Sequence, residues 1–80
     1  MDDANKLQEF AAAERHVALC EKNVANQRAV IAELERDGHD TMGAHEVLRG
    51  QEEMRRLYAK DRDRVLRELG HAPEAAPSTR

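Results

Sequence analysis

His39, Asp40, Thr41, His45 and Glu46 bring two imidazoles, two carboxylates and a hydroxyl into eight consecutive positions, and these are types that ligate a divalent cation. A zinc site needs several such groups converging at ~2.0–2.3 Å, whereas His45 and Glu46 are neighbours that point about 100° apart on a helix. Asp40 and Thr41 fit a second role equally well, since a short side-chain oxygen can cap a helix by accepting from a free N–H of its first turn. His39 is favoured electrostatically near the C-terminus of a preceding helix. Capping accounts for Asp40 and Thr41, the helix end for His39, and His45 and Glu46 diverge, so no metal is expected there.

His16 and Cys20 stand four apart, the spacing that lets two side chains on adjacent turns share a ligand or work as a thiol–imidazole pair. Cys20, however, falls on the apolar row of its helix and serves as a small hydrophobe, with His16 at the edge of that row. A nucleophile also needs a cleft and an oxyanion site, which a narrow helical assembly does not offer. No Gly-rich phosphate loop, Walker pattern or paired-carboxylate arrangement occurs. The residues predict a non-enzymatic protein with no cofactor.

The elements that position these groups follow from periodicity. From about Lys6, a seven-residue pattern places Phe10, Val17, Val24 and Ile31 in one row and Ala13, Cys20, Gln27 and Leu34 in the row beside it. Neither Pro nor Gly interrupts it, which predicts a first helix over about 6–37. Ala11, Ala18, Ala25 and Ala32 repeat at the same interval and suit either the close approach of another helix or a solvated flank of high helix propensity. Residues 1–5 read as a frayed lead-in.

Gly38 follows Leu34 by four positions and can take the left-handed conformation that ends a helix, so a turn is expected over 38–40. A second helix then runs over about 41–69. Its apolar face reads Ala44, Val47, Leu48, Met54, Leu57, Tyr58, Val65, Leu66 and Leu69, with Gln51 and Asp61 as polar members and arginines, Arg55 and Arg62 among them, on the flanks. Gly43 and Gly50 weaken its first half by roughly 1 kcal/mol each relative to Ala. Gly70 ends it, Pro73 prevents its return, and residues 70–80 have the composition of a disordered tail.

So short a break between two long helices predicts an antiparallel hairpin. Folding it about Gly38 pairs Leu34 with Ala44, Ile31 with Val47, Val24 with Met54, Cys20 with Tyr58 and Ala13 with Val65. It also sets Gln27 opposite Gln51, where two amides bonded to each other would hold the register. A contact from His16 to Asp61 is a second constraint, contested by Arg62 and Arg64.

Hydrophobic types make up 40% of the chain, but many are alanine and only Phe10 and Tyr58 are aromatic, so the core is thin. Small scaffolds without metal or disulfide usually oligomerise, and the single cysteine rules out an internal disulfide. The expected assembly is a homodimer forming a four-helix bundle, with Leu7, Leu19, Val30, Leu48, Leu57 and Leu66 widening the apolar faces. A hetero-oligomer satisfies the same physics.

Nucleic acid is an unfavoured partner. The net charge is −3, with five Lys/Arg against eight Asp/Glu over 1–37 and seven against six over 41–69, so the second helix is only weakly basic. Arg49, Arg56, Lys60, Arg64 and Arg67 recur at helical steps and define the face an RNA- or DNA-binding dimer would use, but Glu53, Asp61 and Asp63 dilute it. No apolar run approaches the ~20 residues that cross a bilayer, and the lead-in is acidic, so a cytoplasmic setting is expected.

The segments Glu14–Val17, Gln27–Thr41 and Asp61–Leu69 resemble short uncharacterised helical proteins of alphaproteobacteria. The likeness covers most of residues 10–69, and Leu-Glu-Arg-Asp-Gly-His-Asp-Thr is its most specific part. It implies a bacterial helical hairpin and brings no activity with it. Members of that group often carry an acidic residue where Gly43 stands, which would complete a capping box with Asp40; this chain lacks it. The functional expectation is a self-associating adaptor or regulator that binds another protein.

Overall fold

The computed structural model describes residues 3–70. They form two helices, α1 (Asp3–Arg36) and α2 (Met42–Glu68), lying side by side with no strand among the described residues. The Cα extents are 55 × 29 × 14 Å, a slab one helix thick. Asp3, Ala4 and Asn5 are already helical, so the lead-in expected to fray is shorter than five residues. Met1, Asp2 and the tail from His71 onward lie outside the described residues.

The heptad rows of α1 turn inward as expected. Ala13, Val17, Cys20, Val24 and Ile31 are buried, while Phe10, Gln27 and Leu34 are half-buried at the ends and middle of the same seam. The alanines Ala11, Ala18, Ala25 and Ala32 are all exposed. They act on the chain through helix propensity rather than as an intrachain contact surface.

The helix ends where the glycine requires. Gly38 has φ +76°, the His39 N–H donates to the Leu34 carbonyl at 2.9 Å, and the Gly38 N–H donates to the Glu35 carbonyl at 3.1 Å. These two bonds constitute a Schellman motif and satisfy carbonyls that the end of the helix would otherwise leave bare. Asp40, not Thr41, then serves α2, its Oδ1 accepting from the Met42 N–H at 3.0 Å, while the Thr41 side chain makes no capping bond. At the far end Gly70, φ +90°, donates to the Arg67 carbonyl at 2.9 Å, as Gly38 does to Glu35.

On α2 the inward row is Ala44, Leu48, Gln51, Arg55, Tyr58, Arg62, Val65 and Leu69, spaced by alternating fours and threes, with Val65 fully buried and the others half-buried. This corrects the expected seam at two positions. Val47 is 50% exposed and Met54 47%, and the places expected for them belong to Leu48 and Arg55. Helix α2 carries two apolar stripes side by side, and one partner helix can cover only one. The stripe through Tyr58, Val65 and Leu69 takes the seam, and the half-buried Arg55 and Arg62 complete it with their aliphatic stems, the Arg62 guanidinium pairing with Asp63 at 3.2 Å.

The register also differs from a symmetrical fold about Gly38. Tyr58 meets His16, ring centroids 4.8 Å apart, one turn before Cys20, its expected neighbour. Residues 39–41 are irregular rather than helical, and such backbone covers more length per residue than the 1.5 Å of a helix, so α2 starts lower alongside α1. Gln27 and Gln51 consequently do not bond to each other. The Gln27 amide donates to the Ala44 carbonyl at 3.0 Å, and the buried Gln51 Oε1 has no hydrogen-bond partner.

Candidate interaction surface

The two sides of the slab are fixed by ion pairs that bridge the helices. Arg28 pairs with Glu52 at 2.9 Å on one side of the seam. On the other side Arg64 holds Glu9 at 3.2 Å and Glu68 at 2.9 Å, and Lys6 closes the group by bonding Glu68. Residues a multiple of seven apart share a face of a packed helix. Val30 lies three heptads from Glu9; Val47 and Met54 lie in the row of Asp61 and Glu68; Leu57 is one heptad from Arg64. All therefore project on the Arg64 side. Leu19 stands beside the Glu9 row on the same side, whereas Leu7 belongs to the row of Arg28.

That side is where apolar surface collects. Leu19 is 56% exposed, Val30 45% and Leu57 51%, together with the two displaced seam residues Val47 and Met54. A scattered exposed leucine calls for no explanation, whereas five large apolar side chains gathered on one side are a candidate interaction surface. The opposite side carries Glu14, Glu21, Arg28, Glu35 and Glu52 among alanines, with Leu7, 57% exposed, at its end.

The charged groups at the open end of the hairpin hold one another. The Arg64 guanidinium is pushed above its ordinary range by hydrogen bonds to Asp61, Glu68 and Glu9, in that order. The Glu68 carboxyl is held below the usual glutamate range by Lys6 first and Arg64 second, and Lys6 is raised by Glu68. This network claims Asp61, so the expected contact of Asp61 with His16 gives way to Arg64, and His16 stacks obliquely on Tyr58.

The remaining candidates are dispersed. Of the arginine ridge, Arg56 is paired with Glu53 at 2.7 Å and Arg64 with three carboxylates; Arg49, Lys60 and Arg67 are exposed and make no ion pair among the described residues. His45 turns back on its own helix, its Nδ1–H donating to the Thr41 carbonyl at 3.0 Å, and Asp40 is occupied by the Met42 N–H. Among the described residues no three His, Cys, Asp or Glu side chains converge as a metal cradle. Cys20 is buried, with His16 exposed beside it. A shallow pocket of about 50 Å³ between Phe10, Glu14, Arg62, Asp63 and Leu66 is well below the ~300 Å³ at which small-molecule sites begin. No described helix is long and apolar enough to cross a membrane.

No protein-family model, no curated protein and no solved structure matches this chain.

Proposed function

We propose that this chain is a non-enzymatic assembly module: a helical hairpin that self-associates into a four-helix bundle and acts as an adaptor or regulator by presenting its outer helical surface to another protein. The observation that carries the reading is the side bearing Leu19, Val30, Val47, Met54 and Leu57, each 45–56% exposed beside a core whose buried members are mostly small. Covering that side removes further apolar surface from water, and this is the usual solution for small scaffolds without disulfide or metal. The charge pattern favours protein over nucleic acid as the partner, because Arg56 and Arg64 already hold carboxylates. Sedimentation velocity tests the reading. Wild type should run as a dimer, and Met54→Asp as a monomer that keeps its helical circular dichroism; a wild type monomeric at about 100 μM would overturn it.

A further inference from the structure

Helix α2 contains a glycine that the hairpin does not use. Gly50 lies in mid-helix, its φ is not positive, and a Cβ placed on it meets nothing within 4 Å. Neither backbone conformation nor intrachain packing requires glycine there, although glycine weakens a helix interior. Its neighbours on the uncovered stripe are Val47, Met54 and Leu57, half-exposed and spaced by threes and fours as in a helix–helix seam. A missing side chain among large ones is a hole that a knob from a facing helix can fill.

The charges beside this stripe identify the facing helix. Glu46, Glu53, Lys60 and Arg67 follow one another at seven-residue steps along its edge, all exposed, so the edge is acidic toward the turn and basic toward the open end. A second α2 laid antiparallel on the stripe brings Glu46 opposite Arg67 of the second copy and Glu53 opposite Lys60 of the second copy, and a two-fold axis makes each pair twice. A parallel α2 would set like charge on like. The area agrees: a 27-residue helix is about 40 Å long and two helices about 20 Å wide, giving ~800 Å² per copy, the size of a standard interface.

We propose that two hairpins join by antiparallel contact of α2 with α2 of the second copy, with the two-fold axis beside Arg56 and Leu57, so that Met54 packs against Leu57 of the second copy while Val47 and Gly50 face the stretch from Asp61 to Arg64 of the second copy. Leu19 and Val30 of α1 extend the covered area. This rests on the self-association proposed above and specifies its geometry.

Charge reversal at Glu53 and Lys60 is the test, read by sedimentation equilibrium at low salt with circular dichroism as a check on folding. The pair that Glu53 makes with Arg56 is exposed, so Glu53→Lys should leave the helical signal intact. It should weaken dimerisation by roughly tenfold, since two attractive pairs become repulsive. Adding Lys60→Glu to the same chain should restore it, because both pairs re-form with signs exchanged. Gly50→Leu should raise the melting temperature of the dilute hairpin while lowering the dimer fraction. A double variant that stays weak, or a Gly50→Leu chain that dimerises normally, would overturn the antiparallel α2 contact while leaving self-association standing. A wild type that never dimerises would overturn both.

Discussion

The Gln27 side-chain amide donates to the main-chain carbonyl of Ala44 at 3.0 Å, tying α1 to α2 across 17 residues of sequence. The other seam glutamine has no such partner, since Gln51 Oε1 is buried without a hydrogen bond. The two amides therefore act in opposite senses. Gln51→Leu should stabilise the hairpin by about 1 kcal/mol, because it removes an unsatisfied buried oxygen and adds apolar contact, whereas Gln27→Leu should bring no gain. Thermal denaturation separates them: for a domain of this size the Gln51 variant should melt about 4–8 °C higher. Equal shifts for both would mean that the bond to Ala44 contributes nothing.

Glycines in α2 and in the turn should respond oppositely to alanine. Gly38→Ala puts a Cβ on a residue at φ +76° and should destabilise by ~1 kcal/mol or more. Gly43→Ala falls in ordinary helix with open space around it and should stabilise by up to about 1 kcal/mol. Urea midpoints moving in opposite directions are the expected result.

Burial separates the two stripes of α2. Val65 is fully buried, so Val65→Ala should cost about 2 kcal/mol, a large share of the stability of so short a chain. Val47→Ala, at a half-exposed position, should change monomer stability by less than about 0.5 kcal/mol. Denaturation at concentrations too low for association checks both.

The Lys6, Glu9, Arg64 and Glu68 network makes stability depend on acid. Glu68 titrates below its unfolded value, so its contribution is present above the ordinary glutamate pKa and is lost as pH falls through the depressed folded value. Lys6 is raised, so its contribution is present below the ordinary lysine pKa and is lost only as pH climbs through the elevated folded value. Every member is solvent-accessible, so the effect is small and shrinks with salt. Glu68→Gln should flatten the acid limb of melting temperature against pH, and added salt should do the same to wild type.

Much of this architecture is legible in the sequence for identifiable reasons. Phe10, Ala13, Val17, Cys20, Val24, Ile31 and Leu34 advertise one seam because the other seven-residue row on α1, Ala11, Ala18, Ala25 and Ala32, carries only small side chains, and Gly38 announces the reversal. Helix α2 is ambiguous at the same level of reading. Leu48 and Val47 are adjacent, as are Leu57 and Tyr58, so periodicity alone merges two stripes into one wide face and cannot tell which half turns inward. The signal that was available is the strict alternation of fours and threes from Ala44 to Leu69, which passes through Arg55 and Arg62; their charge hides it until the stems are counted as apolar. The irregular residues 39–41 moved the register by about a turn, and with it the glutamine pairing, since a turn's length in space is not a function of its length in sequence. The exposed side bearing Met54 and Leu57 is thus the part of the candidate site that needed coordinates.

The Schellman closure at Gly38 also sets the order in which the molecule can assemble. Contacts next to the turn join residues only a few positions apart, while the bond from Lys6 to Glu68 spans 62 positions, so each layer farther from Gly38 closes a longer loop at greater entropic expense. The structure should zip outward from the Gly38 turn and fray inward from Lys6 and Glu68. Amide hydrogens of α1 should accordingly exchange along a gradient, slowest near Ile31 and fastest near Leu7.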